Sequence, residues 1–177
     1  LKPPQRATCI RIALCEISRI ASHLRFMAQI ADCVGCETVF HYLLRDRERL
    51  LDLFELIAGA RFSTNFVRIG GVREDITEGF IERAVEVCDL IRMRMREYNN
   101  LFSFSQAFLK RSVGEGVIPG EWLVALGITG PNARASGSLR DERTVGSDLP
   151  YGDFQFRIPM GTGEFGKVGD AYERYLV

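Results

Sequence analysis

The sequence has no apolar run approaching the ~18–20 residues a helix needs to cross a bilayer. It shows no secretory leader, with its basic start and short apolar stretch. Neither sign of charge is in excess: Lys+Arg and Asp+Glu number 23 each. No global attraction to nucleic acid or to an anionic membrane is therefore expected, and any such surface has to be local. Histidine is scarce, with only His23 and His41, on separate predicted helices. A His-based triad is possible with two but has no further support. The complete P-loop, GxSxG and HExxH are all missing. There are five cysteines, an odd number, and three of them lie inside helical patterns. Reduced thiols fit that better than a disulfide framework. Cys33-x-x-Cys36 has no second CxxC to complete a four-ligand metal site. There are no internal repeats. From the chemistry of its residues, the sequence does not declare an active site.

What is present is an ordinary globular balance, 46% hydrophobic and 26% charged residues over 177 positions. That length corresponds to about one domain, and a single helical domain over 1–177 is expected. The chain starts at Leu1 without Met and stops at Val177 inside a helical pattern, so it is expected to be a central piece of a longer protein. After Lys2-Pro3-Pro4, the steps Ile10, Ala13, Ile17, Ile20, Leu24, Met27 and Ala31 predict a helix from 6 to about 31. Glu16 and Arg19 are i,i+3 neighbours on it. A second helix is predicted over 38–58, on Phe40, Leu43, Leu44, Leu50, Leu51, Phe54, Ile57 and Ala58. The alternation Arg45-Asp46-Arg47-Glu48-Arg49 reads as its solvated face, and Gly59 as its stop.

A third helix is predicted from about 76 to 111, with Asp75 and Glu78 spaced as a capping box and Phe80, Ala84, Val87, Ile91, Met95, Tyr98 and Phe102 in one line. A short helix from Glu121 to Gly127 follows. Residues 128–162 lack helical periodicity, and a loop this long is uncommon in a compact domain. Within it, Phe154 to Pro159 alternates like a short strand. A last helix begins at Asp170. The expected fold is mainly α: a bundle of three long helices plus a C-terminal helix, with irregular loops and minor β.

Between the second and third helices lies Gly59 to Asp75. Arg61, Arg68 and Arg73 offer planar, permanently charged forks. Gly70 and Gly71 allow backbone angles or close approaches that other residues resist. On spacing alone this is a helix junction whose arginines are solvated or bridge to acidic neighbours.

The ordered motifs say more. Glu16-Ile17-Ser18-Arg19-Ile20-Ala21-Ser22-His23-Leu24, Arg47-Glu48-Arg49, Gly59-Ala60-Arg61 and Arg68-Ile69-Gly70-Gly71-Val72 follow one another at set intervals. Gly127-Ile128-Thr129-Gly130-Pro131, Arg134-Ala135-Ser136-Gly137 and Gly169-Asp170-Ala171-Tyr172-Glu173-Arg174-Tyr175 continue the series. Together, over nearly the whole chain, they resemble the D-type subunits of bacterial NADH–quinone oxidoreductase (respiratory complex I), a family related to the large subunits of nickel–iron hydrogenases.

The resemblance implies a peripheral place on the cytoplasmic side of the bacterial inner membrane. The partners it implies are the B-type subunit, which carries the terminal iron–sulfur cluster, a homologue of the C-type subunit, and the membrane-arm subunits; nucleic acid is not among them. It implies a chamber, shared with the iron–sulfur subunit, where quinone is the substrate. No cofactor, metal ligand or catalytic residue is expected on this chain itself, because the quinone-headgroup His and Tyr of the family lie upstream of Leu1. Activity is expected of the complex, not of this piece alone.

In the same resemblance Arg61, Ser63, Arg68, Gly70, Gly71, Arg73 and Asp75 face the partner and its cluster, and Asp32 and Cys33 support the quinone site. Two positions depart from the family. Where it usually has an Asp on the first helix this chain has Cys33, with Asp32 one residue earlier. Either Asp32 substitutes through local rewinding or the carboxylate is missing. Where the family typically has a His two residues after Arg61, this chain has Ser63, which can donate a hydrogen bond but does not titrate near neutrality.

Two other readings stay open. A large subunit of a complex-I-like, membrane-bound nickel–iron hydrogenase would need two CxxC pairs near its ends as nickel ligands, and the single CxxC here is not so placed. A scaffold module with no redox role would fit the two lost polar side chains.

Overall fold

A computed structural model describes residues 2–145, 149–164 and 166–177. The protein is mainly helical, as its periodicity predicts, and gathers into two compact units, Leu1–Ser103 and Phe104–Val177. None of the described helices is long and apolar enough to cross a membrane.

The first unit is built on α1 (Gln5–Cys33) and α2 (Glu37–Ala58), which pack along each other; α2 also packs on α3 (Phe80–Tyr98). Ala28 and Ala31 of α1 and Leu43 and Leu50 of α2 are fully buried. The alanines let the two backbones approach, and the leucines fill the seam. The predicted stripe needs adjustment in α1, where Ala13 is exposed while Ile12 and Leu14 are buried. The α1–α2 corner is closed by Cys36 N–H to Ala31 O (2.8 Å) and Gly35 N–H to Asp32 O (2.9 Å). This is a Schellman pattern, and Gly35, at φ 79°, supplies the left-handed residue it requires.

Asp46 overturns the reading of 45–49 as a solvated face. Its side chain is buried and accepts hydrogen bonds from the Tyr98 hydroxyl of α3 and from Arg45 Nε (3.0 Å). Burial, then the neighbouring carboxylate, push the Tyr98 hydroxyl above its ordinary value, so it stays protonated and donates. Tyr98→Phe is expected to cost about 2 kcal/mol, the range for a hydrogen bond to a buried charge. The check is a urea unfolding midpoint that falls at unchanged slope.

The predicted third helix is corrected at both ends. Asp75 does not cap it; α3 starts at Phe80, after Gly79 in a left-handed conformation. At the other end α3 loosens into a π-helical turn, Asn99–Ser103, where the Ser103 hydroxyl bonds the Asn99 side chain (2.9 Å). A separate helix α4 (Gln106–Ser112) follows, with Ser105 Oγ accepting from Phe108 N–H (3.3 Å).

In the second unit, residues 128–162 are not structureless. They contain α6 (Gly130–Ala135), α7 (Glu142–Val145) and a 3-10 turn (Tyr151–Asp153), besides α5 (Gly120–Ala125) before them and α8 (Ala171–Leu176) after. Phe154 to Pro159 forms no strand. Residues 146–148 lie outside the described part of that stretch. Phe108 stacks against Tyr172 and Tyr175, with ring centroids 5.5 and 4.9 Å away.

Three buried carboxylates do much of the joining. Asp141 accepts from Arg134 Nη1 (2.9 Å) and, in a fork, from Arg143 Nε and Nη2 (both 2.8 Å). Glu173 accepts from Thr162 and Gly163 N–H (3.0 and 3.2 Å). Asp170 caps α8 and binds two further segments. The Arg143 fork holds the Asp141 carboxyl down at about 2, despite its burial; the Arg143 N–H and the Arg143 and Arg134 charges add to this.

A folded pKa below the unfolded value gives stability that is present above the unfolded pKa and lost as pH falls through the folded one. For Asp141 that is about 2 kcal/mol, leaving between about pH 4 and pH 2. The unit's midpoint is therefore expected to hold from neutrality to about pH 5 and then fall. Asp141→Asn should flatten that fall, which urea titrations at a series of pH values would read.

Candidate functional site

The junction between α2 and α3 is an ordered, braced loop. α2 ends at Gly59, whose N–H bonds Glu55 O (2.9 Å). The chain then passes through Ser63, the one described non-glycine residue with positive φ, at 52°. Such a conformation is uncommon for Ser and stores of order 1 kcal/mol of strain. It next forms a small antiparallel hairpin, β1 (Val67–Arg68) with β2 (Gly71–Val72), in which Val67 pairs with Val72 and Arg68 with Gly71. Gly70, at φ 86°, takes the second loop position, which needs a left-handed residue. Ile69 at the tip is 95% exposed, while Phe66 behind it is completely buried and anchors the hairpin.

Three sets of charged contacts hold this loop to its own unit. Arg11 of α1 donates from Nε and Nη2 to Gly71 O (3.0 and 2.8 Å) and from Nη2 to Arg68 O. Arg6 donates to both oxygens of Asp75 (2.9 Å each). The Arg6 hydrogen bond first, then one from Ile76 N–H, keep the Asp75 carboxyl below its ordinary range. Arg61 is bound by Asp52 (2.5 Å), Glu55 (3.4 Å) and Glu48. Those carboxylates come from one face of α2, spaced 48, 52 and 55, so a single guanidinium can meet all of them.

Arg73 bonds Glu74 and lies 5.8 Å from the centroid of the Phe66 ring. Arg68 makes a weak contact to Asn65 O (3.4 Å) and is otherwise exposed. The arginines thus divide into those that brace the loop and Arg68, which is left outward.

Asp32 and Cys33 stand elsewhere. Both are exposed at the last turn of α1, which stays α-helical through Cys33. There is no local rewinding, and Asp32 keeps its own face, ~100° from Cys33. Cys33 lies about 12 Å along the helix from Arg25, where the loop's Ser63 comes in, at 1.5 Å per residue. The structure therefore brings Arg61, Ser63, Arg68, Gly70, Gly71, Arg73 and Asp75 into one element and leaves Asp32 and Cys33 apart. Arg6 and Arg11, which hold the loop from α1, were missed by sequence reasoning. Arg11 falls on a polar stripe with Cys15, Ser18, Ser22, Arg25 and Gln29, opposite the apolar one; Arg6 carries no such signal. No group of three or more residues able to hold a metal ion occurs among the described residues.

A braced loop with an exposed tip, on a packed helical pair, defines a mainly helical protein with one ordered loop between its long helices. More particularly, the chain belongs to the family described as respiratory-chain NADH dehydrogenase, 49 Kd subunit, whose profile matches residues 33–177. It is 39% identical over its full length to the second D-type subunit of NADH-quinone oxidoreductase from Anaeromyxobacter dehalogenans, covering 47% of that protein. It is 41% identical, over 98% of its length, to NADH-quinone oxidoreductase subunit 4 of Thermus thermophilus, covering 41% of it. With the chloroplastic H-type subunit of NAD(P)H-quinone oxidoreductase from Daucus carota it shares 39% identity, over all of this chain and 44% of that one. The chain spans less than half the length of these relatives.

Proposed function

We propose that this chain is part of the quinone-binding module of an NADH–quinone oxidoreductase, seated through residues 59–75 on the B-type iron–sulfur subunit. Electrons then pass from the partner's terminal cluster to quinone beside this surface. A homologue of the C-type subunit and the membrane-arm subunits complete the assembly, on the cytoplasmic side of the bacterial inner membrane. The chain supplies walls and a contact loop; the cluster and the redox chemistry belong to the assembly.

The observation that carries this reading is the loop itself. A D-type relative aligns over the whole chain, and the motif-bearing stretch is the one that this fold braces from two helices while leaving Ile69 and Arg68 outward. A tip fixed in advance loses little entropy on docking. An exposed isoleucine gains from burial.

Co-expression with a homologue of the iron–sulfur subunit, followed by photolabelling with a quinone analogue, tests the proposal. Stable pairing is expected, with labelling that excess quinone suppresses. Ile69→Asp should weaken the pairing by ~10-fold or more, since it puts a charge where an apolar contact forms, and it should leave the unfolding midpoint unchanged. Pairing without labelling would reduce the chain to a scaffold, and failure to pair would defeat the reading.

A further inference from the structure

Where α1, α2 and the first residues of the loop meet, they enclose an open cleft of about 260 Å³. Ser18, Ser22 and Arg25 line it from one face of α1, Arg47 from α2, and Ser63 and Thr64 from the loop, with Arg61 at the same wall. No carboxylate is among its lining residues. We propose that this cleft is a binding site for an oxyanion. The inference stands on the cleft alone and goes beyond the quinone-module reading.

The largely buried Arg47 guanidinium, set among hydroxyl donors and the exposed Arg25, carries it. The hydroxyls of Ser18, Ser22, Ser63 and Thr64 make no hydrogen bond to the protein among the described residues; those of Ser18, Ser22 and Ser63 face water, which a ligand would displace. Hydroxyls can turn their protons toward an acceptor. Arg25 makes no hydrogen bond or ion pair among the described residues. The Arg47 side chain is only 14% exposed, and its Nε is buried without a partner. Among the described residues its one ionic neighbour is Glu48, at a loose 3.6 Å, and its guanidinium lies 5.5 Å from the Phe62 ring centroid. Arg61, by contrast, is already compensated by Glu48, Asp52 and Glu55. Arg25 and Arg47 are thus the cationic groups left to serve a ligand. A poorly paired, largely buried guanidinium is costly unless an acceptor reaches it.

The chemistry offered is two guanidinium groups and four hydroxyl donors. That suits phosphate, or a carboxylate held by charge-assisted and neutral hydrogen bonds together. The volume admits such an ion with a few waters, at about 30 Å³ per water. The ion has two possible sources, free in solution or as the side-chain carboxylate of another chain.

The test is an NMR titration of the protein with inorganic phosphate and, separately, with a capped glutamate peptide. The amides of Ser63 and Thr64 are followed. Saturable shifts are expected at millimolar or lower concentration, about −4 kcal/mol of binding or better. Tighter binding of phosphate assigns a free ion, and tighter binding of the peptide assigns a partner's carboxylate; either supports the site. Arg47→Met should weaken binding ~10-fold or more. Arg25→Gln, at an exposed position where folding is not at stake, should weaken it several-fold. Arg92→Gln, on the exposed face of α3, should change nothing. Linear, non-saturating shifts with both probes, or equal binding by Arg25→Gln and the parent protein, would overturn the proposal. Pairing with the iron–sulfur subunit is scored separately, so either reading can fail alone.

Discussion

Asp170→Ala is expected to unfold the second unit under conditions where the first remains folded. Asp170 is completely buried. Its Oδ1 accepts from Glu173 N–H (2.8 Å), which caps α8. Its Oδ2 accepts from Gly114 N–H (2.7 Å), just past α4, and from Lys167 N–H (2.8 Å), in the segment that leads into α8. One carboxylate thus ties together three pieces of backbone. Burial works against its charge, but the backbone amides of Glu173, Gly114, Lys167 and Tyr172 together win, and the carboxyl sits below its ordinary range.

Alanine would leave these amides without their acceptor, at about 1–3 kcal/mol each. A total of several kcal/mol is a large share of a domain's 5–15 kcal/mol. Asp170→Asn keeps an acceptor but sets its NH2 against an N–H donor, so it should fall between. Trp122 is the sole tryptophan and lies in this unit, so its fluorescence reports the unit selectively. Loss of less than about 1 kcal/mol in Asp170→Ala, within the range of a single ordinary hydrogen bond, would show that Asp170 is not the tie proposed here.

The three long helices were legible because their apolar residues recur on one face and the burial of a helix face is a local property. What escaped was order made at a distance. Asp46 sits in a run of alternating charge that reads as solvated, and only Tyr98, 52 residues on, explains its burial. The D-x-x-E spacing occurs at Asp75, where it reads as a capping box, and at Asp170, where the sequence reads only as the start of a helix. In the first case Arg6 takes the carboxylate and no helix starts there. In the second the cap forms, and Glu173 reaches Thr162 and Gly163 instead of closing the box. Sequence spacing cannot tell the two apart, since the deciding partner is remote in each.

Residues 128–162 show no periodicity because their helices, α6 and α7, are too short to repeat an apolar face, and segments such as 161–162 are tied instead to Arg134 O and the Glu173 carboxylate. Gly130-Pro131 was the one local signal, since proline near a helix start marks α6. At the loop 59–75, the glycines and arginines pointed to a special element. Its hairpin and its anchor Phe66 became visible only once α1 supplied Arg6 and Arg11.

Gly161→Ala is expected to be the other severe substitution, for a reason opposite to that of Asp170. There a group is indispensable; here there is no room for one. Gly161 N–H bonds Arg134 O (3.0 Å), which lays this segment against α6 backbone to backbone. A Cβ at Gly161 would lie 2.8 Å from the Ala135 carbonyl carbon and 3.0 Å from its Cα, and closer still to the carbonyl oxygen. No rotamer relieves a clash between Cβ and main chain. The segment must lift from α6, stretching its own hydrogen bond and disturbing the neighbouring Gly169 N–H to Ala135 O bond (2.8 Å).

Overpacking alone costs about 1–3 kcal/mol, and each strained bond adds about 1 kcal/mol, so a loss of about 3 kcal/mol or more is expected. Gly152→Ala is the matched control: its Cβ would meet nothing within 4 Å, and a change within about 0.5 kcal/mol is expected there, as for ordinary surface substitutions. If both variants unfold at the same urea concentration, the close contact between Gly161 and α6 does not hold the second unit together. If Gly161→Ala alone collapses, the order of this non-helical stretch depends on backbone contact that a single methyl group abolishes.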